Sequence, residues 1–174
     1  MTVHGCTNAS IHHNQFIDNT DVDLVIGNSP TNCQVYSNTI THVSTYGVGG
    51  LGVAFNGTAA GLNMYGNSIS ANQNKLGMGL FAGHHPWVES DMLASLGNIT
   101  SNYVSGAAVL GVIDGVSSGN FSGNSAGNWW QGARGHNGCN GPFYFMVNTN
   151  EMNTSSVQPG YQPWRFHTSG CIPQ

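Results

Sequence analysis

Charge is the scarcest commodity in this chain. Lys and Arg together number 3 and Asp and Glu 7 among 174 residues, 6% in all, where a soluble domain usually carries about a quarter. So few cations cannot line a phosphate backbone, which excludes a nucleic-acid partner. No apolar run approaches the roughly 20 residues of a membrane span. The Glu/Lys/Ala-rich stretches of a helical bundle are missing. So are a Gly-x-Ser-x-Gly elbow, a phosphate loop and a dinucleotide fingerprint. Cys6, Cys33, Cys139 and Cys171 fit no CxxC or Cys/His zinc spacing, so no metal site is expected from them. The start shows no apolar signal segment, and Met1 is followed almost at once by what reads as mid-repeat. The expectation is a processed or truncated piece of an exported protein, with its signal peptide and some N-terminal coils absent.

What is present is turn chemistry. Gly numbers 25 and Asn 21, against 39% hydrophobic residues and a net charge of -4. Aromatic and β-branched residues are spread throughout, so disorder is excluded. The length suits about one domain with a real core. The composition points to a turn-dense, mostly β protein. Five N-x-S/T sequons, at Asn8, Asn56, Asn98, Asn120 and Asn153, and the even cysteine count favour an oxidising, extracellular setting. Three disulfide pairings are open. The sequence-local one, Cys6–Cys33 with Cys139–Cys171, is expected, against the alternative of four buried thiols.

A short pattern recurs: apolar, two residues, Asn, one residue, apolar. It reads Ile11-x-x-Asn14-x-Phe16, Val35-x-x-Asn38-x-Ile40 and Met64-x-x-Asn67-x-Ile69, with weaker copies at Ile99-x-x-Asn102-x-Val104 and Phe121-x-x-Asn124-x-Ala126. The asparagines are 24, 29, 35 and 22 residues apart. Periods of this size mean a solenoid with loops of variable length. The two apolar residues of each copy are five apart, so one straight strand would place them on opposite faces. A bend must lie between them, and Asn tolerates the left-handed conformation of such a bend. Stacked in parallel coils, the asparagines would form an amide ladder with a rise of about 4.8 Å. A second apolar segment follows each bend: Val22, Leu24 and Ile26, then 48–55, 76–81 and 109–113. Each coil thus has about three strands and three turns.

This pattern resembles the right-handed parallel β-helix of the pectate-lyase-like superfamily, over roughly residues 5 to 128. The resemblance implies an all-β solenoid of about five coils. Residues 1–128 are read as the repeats. Residues 129–174 are read as a last coil and a disulfide-linked, irregular C-terminal cap that covers the apolar end.

Enzymes of that superfamily often act on polysaccharides in a groove along one sheet. With Val22, Leu24 and Ile26 facing inward, strict alternation turns Asp21 and Asp23 outward as a carboxylate pair. Such a pair could hold Ca²⁺ in a lyase or divide acid and base roles in a hydrolase. Asn19-Thr20-Asp21 also resembles the Asn-Thr-Asp of polygalacturonases, but the other motifs of that family are missing. Lys75, the single lysine, is the candidate base, and Tyr46 is expected on the same face. The stretch 84–91 gathers His84, His85, Trp87, Glu89 and Asp91 as candidate substrate contacts, with Trp87 suited to stacking on a sugar. His12 and His13 are expected to be structural, one facing in and one out. Trp129, Trp130, Arg134 and His136 are read as an apolar plug. Two functions follow. One is an extracellular carbohydrate-directed protein, a polysaccharide lyase or glycoside hydrolase. The other is a non-catalytic, glycosylated surface or structural β-helix that associates end to end through its open edges.

Overall fold

The computed structural model describes residues 1–54, 59, 61–72, 75–83, 94–107, 109–114, 116–122, 124 and 144–147. Strands arrive in sets of three. β1 (Thr2–His4), β2 (Thr7–His12) and β3 (Gln15–Ile17) form one turn of the chain, and β4 (Val22–Gly27), β5 (Thr31–Tyr36) and β6 (Thr39–His42) form the next. β7 (Gly47–Ala54), β8 (Leu62–Tyr65) and β9 (Ser68–Ala71) follow, then β10 (Leu76–Gly83), β11 (Ala94–Thr100) and β12 (Tyr103–Ser105). β13 (Val109–Asp114) and β14 (Val116–Ser122) continue the pattern, and β15 (Tyr144–Val147) stands apart.

Every third strand pairs in parallel. Sheet A runs β1-β4-β7-β10-β13-β15, sheet B β14-β11-β8-β5-β2, and sheet C β12-β9-β6-β3. The described residues therefore form a parallel β-solenoid with three faces. Among the described strands only β15 breaks the rule, lying antiparallel on β13. No helix among the described residues is long and apolar enough to cross a membrane.

The apolar pairs flanking Asn38, Asn67 and Asn102 form the interior, with Ile11 and Phe16 packed at its edge. Val35, Ile40, Met64, Ile69, Ile99 and Val104 all lie in one core with Leu24, Leu51 and Leu80 from sheet A. Register stacks like upon like: Val35 on Met64, Ile40 on Ile69, Leu24 on Leu51 and Leu51 on Leu80. Sheet A is apolar on both faces, since Val25 and Phe81 are also buried. That explains its near-continuous apolar runs, as expected where a parallel sheet is covered on both sides.

The amide ladder forms. Nδ2 of Asn14 donates to Oδ1 of Asn38 at 2.9 Å, Asn38 to Asn67 at 2.9 Å, Asn67 to Asn102 at 2.8 Å and Asn102 to Asn124 at 2.9 Å. The same Oδ1 atoms accept the backbone N–H of the preceding rung at 3.0–3.1 Å. The second Nδ2 hydrogen turns to backbone carbonyls, as from Asn67 to Val35 and Tyr65. Each inner amide is thus fully bonded while buried, the condition under which a buried polar group stabilises. The bend differs from expectation in one respect. The left-handed residue is not the asparagine but the one before it: His13 (φ 56), Ser37 (φ 53), Gly66 (φ 61) and Ser101 (φ 55). The asparagine itself is needed for its side chain rather than for its backbone.

Cys6 and Cys33 are joined as expected. The bridge closes a separation of 27 residues and ties the start of β2 to β5; in the chain-entropy model a loop of this size contributes about 3–4 kcal/mol. Cys139 and Cys171 lie outside the described residues.

Asn67→Ala should cost about 3 kcal/mol or more, because it strips bonds from two neighbouring rungs and from buried carbonyls. Asn14→Ala, on an exposed end rung, should cost less than about 1 kcal/mol. Urea denaturation of the two variants checks the ranking, and equal losses would contradict a cooperative ladder.

Candidate functional site

Of the nine residues singled out as catalytic or substrate-contacting, Asp21, Tyr46 and Lys75 come to one corner, where sheet C hands over to sheet A. The Asp21 carbonyl accepts from the Val48 and Gly49 backbones at 2.7 and 3.3 Å. Gly47 N donates to Lys75 O at 2.8 Å, which sets Tyr46 and Lys75 beside each other in successive coils. Asp21 and Tyr46 are exposed, and Lys75 is half-buried. Partial burial pushes the Tyr46 hydroxyl above the ordinary phenol range, so it is a hydrogen-bond donor at neutral pH.

Asp23 departs from expectation. It does not share the outer face with Asp21 but is fully buried. Its Oδ2 meets His42 Nε2 at 2.7 Å, with both side chains inaccessible, and its Oδ1 accepts from Asn19 Nδ2 at 2.6 Å. Alternation fails here because Asp23, like its neighbour Leu24, turns inward, to a partner on the Ile40 side of the coil. His42 lies two residues after the core residue Ile40 and points the same way, into the corner. Its Nδ1 faces the Thr45 carbonyl at 3.1 Å. A carbonyl only accepts, so Nδ1 carries hydrogen, and the Nε2···Oδ2 bond needs one further proton between its two atoms. Gly47 makes the room: a Cβ there would collide with the His42 ring and approach Asn19 O to 3.0 Å. With both carboxylate oxygens engaged, the arrangement is a buried structural pair.

A second carboxylate with a structural role, Asp18, was not anticipated. Its Oδ1 accepts from the backbones of Val43, Ser44 and Thr45 at 2.8, 3.1 and 3.1 Å, and its Oδ2 from Ser44 Oγ at 2.8 Å. The Ser44 hydroxyl and then these backbone donors hold its carboxyl well below the usual carboxylate range, against a smaller opposing desolvation. Asp18 clamps the turn that leads from β6 to β7. Both missed residues stand four positions after a ladder asparagine, Asp18 after Asn14 and His42 after Asn38. Aligning the repeats on that position would have placed polar groups where other coils have Ala71 and Gly106.

The outer faces of sheets B and C have a different character. On sheet B, one column in register reads Ser10, Gln34, Asn63, Asn98, Asn120, and the next reads His12, Tyr36, Tyr65, Thr100, Ser122. Asn98 Nδ2 donates to Asn63 Oδ1 at 2.8 Å, and Asn32 Nδ2 to Asn8 Oδ1 at 2.9 Å. The rings of His12 and Tyr36 stack with centroids 4.7 Å apart, and those of Tyr36 and Tyr65 at 5.2 Å. Sheet C presents Gln15, Thr39, Ser68 and Tyr103 beside Ile17, Thr41, Ser70 and Ser105. No Asp, Glu, Lys or Arg stands in these columns. His12 and His13 are both exposed rather than split between faces, because the positive φ of His13 turns its side chain outward. Their Nδ1 atoms meet at 2.7 Å.

His84, His85, Trp87, Glu89 and Asp91 lie outside the described residues, as do Trp129, Trp130, Arg134 and His136 and the sequons at Asn56 and Asn153. No family model, curated protein or solved structure matches this chain.

Asp23→Ala should cost about 3–5 kcal/mol, the loss expected when one partner of a buried pair is removed. A solvated outer-face carboxylate would cost within about 0.5 kcal/mol, so chemical denaturation separates the two placements. Asp18 should shape acid stability. Its native carboxyl is depressed, so its stabilisation is complete above the unfolded value near pH 4 and is lost as pH falls through the lower native value. Asp18→Asn should lower the melting temperature at pH 7 and flatten its fall between about pH 4 and pH 2, as thermal melts across that range would show.

Proposed function

We propose that this is an extracellular, carbohydrate-directed protein built on the right-handed pectate-lyase-like β-helix, and that its main activity is binding rather than cleavage. The observation that carries the reading is the outer face of sheet B, where side-chain amides run in register beside an exposed aromatic column. Sugars present hydroxyls that exchange hydrogen bonds with amides and apolar C–H faces that pack on rings. A surface with both, and without ionised groups, suits them. The Cys6–Cys33 bridge fits an oxidising compartment.

Cleavage is the second reading, favoured by the meeting of Asp21, Tyr46 and Lys75 at one corner. There Lys75 would serve as a lyase's base and Tyr46 as its proton donor, with Ca²⁺ at Asp21 as an optional cofactor. With Asp23 in a buried pair, Asp21 lacks the outward carboxylate partner that a hydrolase or a two-carboxylate calcium site would use.

Purified protein should be retained on at least one insoluble polysaccharide among cellulose, xylan, chitin and pectin. Free passage over all four would overturn the reading. Release of unsaturated uronate from pectin, abolished by Lys75→Ala, would move the assignment to the lyase.

A further inference from the structure

We propose that the corner between sheets B and C, where β8 and β9 meet β11 and β12, is a notch that seats one ring of an uncharged sugar. The proposal rests on the carbohydrate reading above and names its subsite and substrate class. The aromatic column changes character here. His12 lies on Tyr36 and Tyr36 on Tyr65, with rings within 9° of parallel. The next two members in register are Thr100 and Ser122. Among the described residues no ring covers the face of Tyr65 that looks toward β11, and Tyr65 is 39% exposed. A flat ligand placed over Thr100 would extend the stack by one step.

The corner beside that face is bare. In the first coil the equivalent position holds His13, whose ring packs edge-on against His12 and Tyr36 at 5.0 and 6.1 Å. Beside Tyr65 it holds Gly66, and nothing lies within 4 Å of the place a Cβ would take. The next coil contributes only Ser101. Around the corner, on sheet C of the next coil, stands Tyr103, 41% exposed. On the other side lies Asn63. Its Oδ1 accepts from Asn98, while its Nδ2 has no acceptor among the described residues and can bond a sugar hydroxyl.

The floor is held before any ligand arrives. Gly66 N donates to Ser101 O at 3.1 Å, and Asn67 beneath is bonded through its backbone and side chain to Asn102 Oδ1. A platform that does not reorganise loses little on binding. The absence of ionised side chains from the columns around it decides the substrate class. A uronate would have to shed water from its carboxylate with no cation to receive it, whereas a neutral hexose or pentose has no such cost.

The test uses the full chain exported to a bacterial periplasm, which leaves the sequons unmodified and lets the disulfide form. Calorimetric titration with cellohexaose, xylohexaose, mannohexaose and laminarihexaose, with trigalacturonate as the charged control, reads affinity. At least one neutral oligosaccharide should bind, and Tyr65→Ala should raise its Kd about tenfold or more. Gly66→His should do the same by covering the ring as His13, at a similar positive φ, does in the first coil. Val43→Ala, exposed on the turn from β6 to β7, should leave the affinity unchanged. Neutral binding that survives both Tyr65→Ala and Gly66→His overturns the notch and leaves the carbohydrate reading standing. Binding of trigalacturonate alone overturns the substrate class and shifts attention to Lys75. Binding of none of the five sugars overturns the notch and the broader reading together.

Discussion

The asparagine ladder is the constraint on which the rest of the structure depends. Each coil must turn sharply between sheets B and C, and a turn leaves backbone groups unpaired in the interior. One side-chain amide per coil resolves this. Its oxygen takes the backbone N–H and the Nδ2 of the preceding rung, and its NH₂ group takes the next rung and carbonyls nearby. The spacing between rungs is the spacing between parallel strands, so the ladder and the sheets enforce the same register. The flanking apolar residues then stack without choice, and the core of Val35, Met64 and Ile99 with Ile40, Ile69 and Val104 follows.

The corner between sheets C and A is made differently. No repeated amide spans it. Asp18 gathers the N–H groups of one turn, and Asp23 with His42 fills the space beneath. The two carboxylates do similar work in different surroundings, one partly exposed to solvent and the other sealed from it. This irregular corner gathers Asp21, Tyr46 and Lys75, while the regular corner carries Tyr65, Gly66 and Tyr103. The protein therefore has a charged corner held by side-chain pairs and a neutral corner held by the ladder.

Legibility followed periodicity. The asparagine repeat, the stacking of its apolar flanks, the three strands per turn and the Cys6–Cys33 bridge could all be read from spacing. The left-handed residue was misplaced by one position. Asn is a common αL residue, and only the structure shows that its side chain was required elsewhere. Asp23 was placed on the wrong side because strict alternation does not hold at the start of β4, where its carboxylate turns inward to His42. The aromatic column of His12, Tyr36 and Tyr65 went unread, although all three stand two residues before a ladder asparagine.

By itself the sequence determined that this chain coils into a parallel solenoid, because a buried amide recurring between apolar residues has few other ways to be satisfied. It also determined that the surface is nearly uncharged, since composition cannot be altered by folding. Tertiary structure alone decided which carboxylates meet solvent, which rings stack and where a stack stops. Those outcomes depend on residues 19 to 35 positions apart in the chain becoming neighbours in space. Unequal loops set that pairing coil by coil, and no single repeat contains it.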